Sequence, residues 1–157
     1  MMACLWGIAM GDRKTLEPFE VVMDGSECAV RGGLARVLSG LAPLKLDVDA
    51  AGTVELVLAE ALNNVVEHAL AHTGGQTRIV IRLKHDTLGL HVTIVDRGVP
   101  MPDGMAPRGR APEVAVEMPD MPEGGFGWFM IHSLAQNVSY ARVGGENHLT
   151  LRIAVGL

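Results

Sequence analysis

The stretch that most constrains this chain is the apolar run from Val54 to Leu70, which contains Glu60-Ala61-Leu62-Asn63-Asn64-Val65-Val66-Glu67-His68. Apolar residues at 54, 57, 58, 61, 62, 65, 66 and 69 keep close to a 3.6-residue period. The run therefore predicts one helix whose apolar stripe faces a core. At roughly 100° per residue, Glu60, Asn64, Glu67 and His68 fall within an arc of about 100° beside that stripe. A carboxylate and an amide one turn apart can act on one bound group. The first would accept a proton, and the second would offer a neutral oxygen to a hard cation. The competing reading is a solvated polar face, and the helix alone does not separate the two.

A chain of 157 residues suits one domain, large enough to bury about 70% of its unfolded surface. With hydrophobic residues at 48% and charged residues at 20%, it predicts a packed globule. The formal net charge of −5 argues against a nucleic-acid binder, which would normally carry a basic patch. Cys4 and Cys28 lack the close spacing of a metal site or redox pair, so a reducing, cytoplasmic compartment is expected. No apolar run approaches the roughly 18 residues of a membrane span. The apolar opening lacks a basic segment and cleavage site, so no signal peptide is expected there. Residues 1–16 are expected to be a loose extension, with Met10 as an alternative start.

Along the chain, Glu17 to Met23 predicts a strand and Glu27 to Leu41 a helix, with Ser26 as its N-cap. Asp49 or Thr53 can cap the Val54 helix, which is expected to reach about His72 and stop at Gly74-Gly75. Gln76 to Leu83 and Leu88 to Asp96 alternate apolar and polar residues and predict a hairpin turning at His85-Asp86-Thr87. Val99 to Gly125 holds Pro100, Pro102, Pro107, Pro112, Pro119 and Pro122, so no regular element persists there beyond a turn near Glu113 to Met118. A loop of about 25 residues is long for a connection and is commonly a functional lid. Gly125-Phe126-Gly127 then opens a helix to Ala135, and Val138–Val143 with His148–Val155 predict a second hairpin across Gly144 to Asn147. The expected fold is an α+β two-layer sandwich, a mixed but mostly antiparallel sheet with about three helices on one face.

Two further sites join the helix. Asp96-Arg97-Gly98-Val99-Pro100 leaves a strand end, where a carboxylate can accept from an exocyclic amine such as that of adenine. Taken alone, it is equally a turn signal. Gly125-x-Gly127 at a helix start offers exposed amides to phosphate, although no Gly-Lys-Ser/Thr makes it a Walker sequence.

In this order and spacing, the three sites resemble the Bergerat-fold ATPase family, which includes gyrase, MutL and the histidine kinases. Glu60 and Asn64 match its N box, Glu-x-x-x-Asn. Asp96, Gly98 and Pro100 match its G1 box, and Gly125 and Gly127 its G2 box after an ATP lid at about 99–125. The resemblance covers Ser26 to Leu157 and is nearest the anti-sigma-factor serine kinases of the RsbW type, which share the pattern of Glu60, Ala61, Asn64 and His68.

The resemblance implies ATP and Mg²⁺. Asn64 would hold the metal, Asp96 the adenine amine, Gly98 would leave the base room, and Thr150 would add a water-mediated contact. Gly125 and Gly127 would meet the phosphates, and Glu60 would be the general base. Arg97, Arg108 and Arg110 could bring positive charge to the phosphates, or remain solvated or meet a partner. It also implies an antagonist of the STAS type as protein substrate, a sigma factor as sequestered partner, and the possibility of a homodimer. Three departures stand against this: Trp128-Phe129 in the second glycine box, Asn137 where the family carries an acid, and a lid that does not align.

A non-catalytic, nucleotide-responsive binding module is the alternative, and the intact Glu60 favours the kinase. A detached histidine-kinase half is disfavoured, because no dimerisation helix with a phosphorylatable histidine is expected before the ATP helix. His68 and His72, four apart, could grip a metal but lack a third ligand, and Met101, Met105, Met118 and Met121 could form an adaptable contact surface or pack within the lid.

Overall fold

The computed structural model describes residues 16–74, 76–109 and 126–157. Strand β1 (Phe19–Asp24) leads into α1 (Glu27–Gly40), a 3-10 turn at Ala42–Leu44, and α2 (Val48–Asn64). Strands β2 (Arg78–Asp86) and β3 (Gly89–Asp96) follow, then α3 (Phe126–Leu134) and the hairpin of β4 (Gln136–Val143) and β5 (Glu146–Ile153).

The sheet order is β1-β2-β3-β5-β4, and every pairing is antiparallel. The parallel component allowed for in a mixed sheet does not occur among the described residues. The last hairpin docks through β5, which sets the start of β5 beside the end of β3. There Asp96 pairs with Asn147 in Cα register.

Strand alternation decides which face is covered. Ile79, Ile81 and Leu83 of β2, Leu90, Val92 and Ile94 of β3, and Leu149, Leu151 and Ile153 of β5 are buried on one side. Against them pack Val30, Leu34 and Val37 of α1, Val54, Val57, Leu58, Ala61 and Leu62 of α2, and Trp128 and Ile131 of α3. Each fully buried aliphatic side chain stabilises the fold by about 1.5–3 kcal/mol. The result is the expected two-layer α+β sandwich. Leu16, assigned by sequence to the loose extension, is buried in this core, and residues 1–15 lie outside the described set.

Two corrections concern α2. Its N-cap is neither Asp49 nor Thr53 but Asp47, whose Oδ1 accepts from the Ala50 N–H at 2.7 Å. Thr53 Oγ1 instead donates to the Asp49 carbonyl. Nor does α2 run to about His72. After Asn64 it widens into a π-helical turn over Val65–Ala69, closed by a 2.9 Å bond from the Leu70 N–H to the Val65 carbonyl. One residue is thereby inserted into the helix path, a distortion that occurs mostly as single turns and often at functional sites. Elsewhere, Ser26 holds the N-cap position of α1 in extended backbone without a side-chain cap bond.

Candidate functional site

Asn64 is the last α-helical residue before the π turn and Asp96 the last residue of β3, and both line one cavity of 410 Å³. Val65, His68 and Ala69 of the π turn form one wall. Val99, Pro100, Met101, Pro102 and Pro107 of the loop after β3 form another, closed by Trp128, Tyr140, Asn147 and Leu149. The lining is largely apolar with a few convergent polar groups, the usual make-up of a small-molecule site.

Asp96 is 4% exposed and Asn147 3%; they are the buried polar residues among those described. Asp96 Oδ1 accepts from the Gly98 N–H and from Asn147 Nδ2, each at 2.8 Å. Burial pushes the Asp96 carboxyl above the ordinary aspartate value of 3.8. The hydrogen bonds from Asn147 and Gly98, and the charges of Arg142 and His148, pull the other way without cancelling it.

Gly98 serves packing as well as turning. A Cβ there would lie 2.1 Å from the Ala69 carbonyl oxygen. The missing side chain lets the chain leaving β3 lie flush against the π turn, where the Val99 N–H donates to the Ala69 carbonyl at 2.9 Å. The expectation that Gly98 simply leaves room for a ligand thus acquires a second cause: its absent side chain faces the helix.

Glu60 does not line that cavity; it is half-buried, one turn before Asn64, which does. A Cβ built on Gly127 would lie 2.5 Å from Glu60 Oε2 and 3.8 Å from Asn64 Nδ2. The start of α3 therefore rests on the two side chains that the sequence had singled out on α2, and only glycine fits without displacing the carboxylate.

Thr150 is a correction. It pairs with Thr93 and Ser139 on the opposite sheet face from Leu149 and Leu151, so strand parity turns it away from the cavity. Arg97 is turned outward and pairs with Glu146 at 3.1 Å, and Arg108 is exposed. His72 lies beyond the helix, so the four-residue spacing to His68 is not a helical pair. Among the described residues no cluster of three or more His, Cys, Asp or Glu could hold a metal. Gly125, Arg110, Met118 and Met121 lie outside the described residues, as does the turn expected near Glu113 to Met118.

The profile of the histidine kinase-like ATPase domain matches residues 27–153. This chain belongs to that family. BtrW, a serine/threonine-protein kinase of Bordetella bronchiseptica, is 32% identical over 99 residues, which are 63% of this chain and 67% of that protein. The RsbU and RsbW domains of Rv1364c from Mycobacterium tuberculosis share the fold: the match has a TM-score of 0.60 at 18% identity and covers 88% of this chain. The chain spans only 32% of that solved chain.

For an ATPase domain, Asn64 is informative, because its Nδ2 is buried without a partner among the described residues. A buried amide end left unpaired is costly, and a ligand that meets it removes the cost. Turning the amide by 180° presents Oδ1 at the same place, so the side chain can equally offer oxygen to a hard cation such as Mg²⁺. With the glycine cradle at Gly127 and the acceptor at Asp96, the residues present fit a nucleotide and its metal. Sequence reasoning missed Asn147, Tyr140 and the wall made by Trp128. Asn147 reads by sequence as part of the β4–β5 turn, although Leu149, Leu151 and Ile153 put every odd position of β5 on one buried face. No helix among the described residues is long and apolar enough to cross a membrane.

Proposed function

We propose that this ATPase domain is a serine-protein kinase that phosphorylates an antagonist protein of the STAS type and, when that antagonist is unavailable, sequesters a sigma factor. The carrying observation is that the space left by the missing Cβ of Gly127 is bordered by both Glu60 and Asn64, a potential base and a potential metal ligand beside the start of one helix. Similarity to BtrW, a serine/threonine-protein kinase, supports the transfer reaction. The likeness to an RsbW domain concerns the fold, and the sigma-factor partner follows from the sequence resemblance.

In this reading Asp96 accepts from the 6-amino group of adenine, and Gly125 and Gly127 let the α3 amides approach the phosphates. Asn64 would hold Mg²⁺, which when bound would supply charge neutralisation to the phosphates. Glu60 takes the serine hydroxyl proton as that oxygen bonds to the γ-phosphorus and the bond to the ADP leaving oxygen breaks. Phosphoryl transfer asks mainly for positioning and charge neutralisation, so few side chains suffice.

The test is incubation with γ-labelled ATP, Mg²⁺ and the antagonist. Glu60→Ala is expected to slow transfer by about 10²–10⁴-fold while ATP affinity stays within about twofold. A wild-type protein that binds ATP and labels no antagonist would leave a nucleotide-responsive binding module instead.

A further inference from the structure

The start of β5 holds a hydrogen-bonded network around Asp96 whose other members the proposed roles do not use. Asp96, Asn147 and Arg142 form one row across β3, β5 and β4 in Cα register. Asn147 Nδ2 donates to Asp96 Oδ1 at 2.8 Å, to the Val99 carbonyl at 3.0 Å and to the Gly98 carbonyl at 3.3 Å. Its Oδ1 accepts from the Tyr140 hydroxyl at 2.5 Å and from Arg142 Nη1 at 2.7 Å. Arg142 Nη1 also reaches the Gly98 carbonyl at 2.8 Å, and the Tyr140 hydroxyl accepts from the Met101 N–H at 3.1 Å.

An amide side chain has two donor hydrogens and one oxygen with two lone pairs, and here all are engaged. The orientation is fixed from both sides: a guanidinium only donates, so it demands the oxygen, while three acceptors demand the nitrogen. With no capacity left over, Asn147 cannot bind a ligand itself. It can act only through Asp96.

Its effect there is specific. Oδ1 of Asp96 is committed to Gly98 and Asn147, so Oδ2 is the oxygen left to meet a ligand in the cavity that Asp96 lines. A carboxylate oxygen accepts and cannot donate. It pairs with a 6-amino group and opposes the lone pairs of a 6-oxo group. We propose that Asn147 is a positioning residue for purine selection, holding Asp96 as a fixed, acceptor-only probe that admits adenine nucleotides and rejects guanine nucleotides. This rests on the placement of adenine at Asp96 made above. A carboxylate freed of Asn147 could turn or take up a proton, and a protonated oxygen could donate to a 6-oxo group.

The charged and titratable groups around Asp96 are Arg142 and Tyr140 from β4, His148 from β5, and His68 from the π turn across the cavity. Removing the Asn147 donor or the Arg142 charge leaves Asp96 easier to protonate, a change that a merely structural role would not produce.

The experiment measures the affinities of fluorescent N-methylanthraniloyl ATP and GTP, with ATP affinity followed against pH, for the wild type, Asn147→Leu, Arg142→Gln and Asp96→Asn. Asn147→Leu should lower the ATP:GTP preference about tenfold and move the acid-side loss of ATP binding to higher pH. Arg142→Gln, at an exposed edge-strand position, should shift the same two quantities in the same direction by less. It carries the test should Asn147→Leu fail to fold. A wild-type ATP:GTP ratio and pH profile in Asn147→Leu, or in Arg142→Gln where the former is unfolded, overturns the proposal. Asp96→Asn separates the two levels: if it binds ATP like the wild type, the adenine placement itself is wrong. If it loses ATP while Asn147→Leu keeps the wild-type ratio, only the role of Asn147 falls.

Discussion

Gly98→Ala tests whether the glycine two residues after Asp96 serves the fold or only the ligand. An added Cβ would lie 2.1 Å from the Ala69 carbonyl oxygen, 2.5 Å from its carbon and 2.8 Å from the Ala69 Cβ. Two of these atoms are backbone within the π turn, so no side-chain rotation relieves the clash. The loop must retreat by about 1 Å to restore ordinary contact, and the 2.9 Å bond from the Val99 N–H to that carbonyl cannot survive the move. Losing that bond costs about 1 kcal/mol net, and forcing a methyl into a packed contact adds about 1–3 kcal/mol. The gain from stiffening the unfolded chain, about 0.4–1 kcal/mol, offsets only part.

A net loss of about 1–3.5 kcal/mol corresponds to a fall in Tm of about 2–14 °C for a domain of this size. The assay is thermal unfolding of the ligand-free protein by circular dichroism, repeated with saturating ATP. A ligand-free Tm within roughly 2 °C of wild type, accompanied by lost ATP affinity, would show that Gly98 serves the ligand alone and refute the packing argument.

Gly127→Ala should behave in the opposite way, because its Cβ meets the end of a flexible side chain, Glu60 Oε2 at 2.5 Å, rather than backbone. The carboxylate can swing aside, so Tm is expected to shift by less than about 2 °C while phosphoryl transfer falls by about tenfold or more; a wild-type rate refutes the assignment of Glu60. Asp96→Asn gives a pH test. The folded-state pKa of Asp96 is raised by burial, so the folded protein holds that proton more tightly than the unfolded chain. Its contribution to stability therefore grows as pH falls through the raised value, and above that value the buried charge is a cost. Asp96→Asn should keep or raise the Tm at neutral pH while losing ATP, and wild-type ATP affinity should decline on acidification at a pH above that of an ordinary carboxylate. Affinity that is flat down to pH 4, roughly the ordinary aspartate value, counts against an ionised acceptor.

The sheet and the three helices were legible in the sequence because period-2 and period-3.6 patterns mark faces that must be buried. Glu60, Asn64, Asp96 and Gly127 were legible because their spacing matches a known set of boxes. The π turn was not, since Val65 to Ala69 continues the apolar stripe of α2 and nothing local announces one extra residue per turn. It is joined to a distant segment: the carbonyl of Ala69 accepts from the Val99 N–H after β3. Thr150 was misplaced through parity. Asn147 was assigned to the turn because Gly144-Gly145-Glu146-Asn147 reads as turn chemistry, whereas Glu146 already pairs with Val143 and opens β5. Counting back in twos from Leu149 would have placed Asn147 beside Asp96.

The two parts of the site differ in kind. Asp96, Asn147 and Arg142 stand on three hydrogen-bonded strands and are locked by one another, so that part presents a fixed pattern to whatever enters. Glu60 and Asn64 stand on α2, where no hydrogen bond within the described residues holds the Asn64 amide nitrogen. Beside the Glu60 carboxylate lies Gly127 at the start of α3, whose missing Cβ leaves the carboxylate its room. Recognition built on the sheet and chemistry built on a helix contact can therefore respond differently to the same change. A substitution in the strand row should alter which nucleotide binds without moving Glu60, and one at Gly127 should alter transfer without changing the choice of base. Variants of the two parts are then expected to be additive in free energy, as for sites without shared partners, and strong coupling between Asn147→Leu and Gly127→Ala would refute that independence.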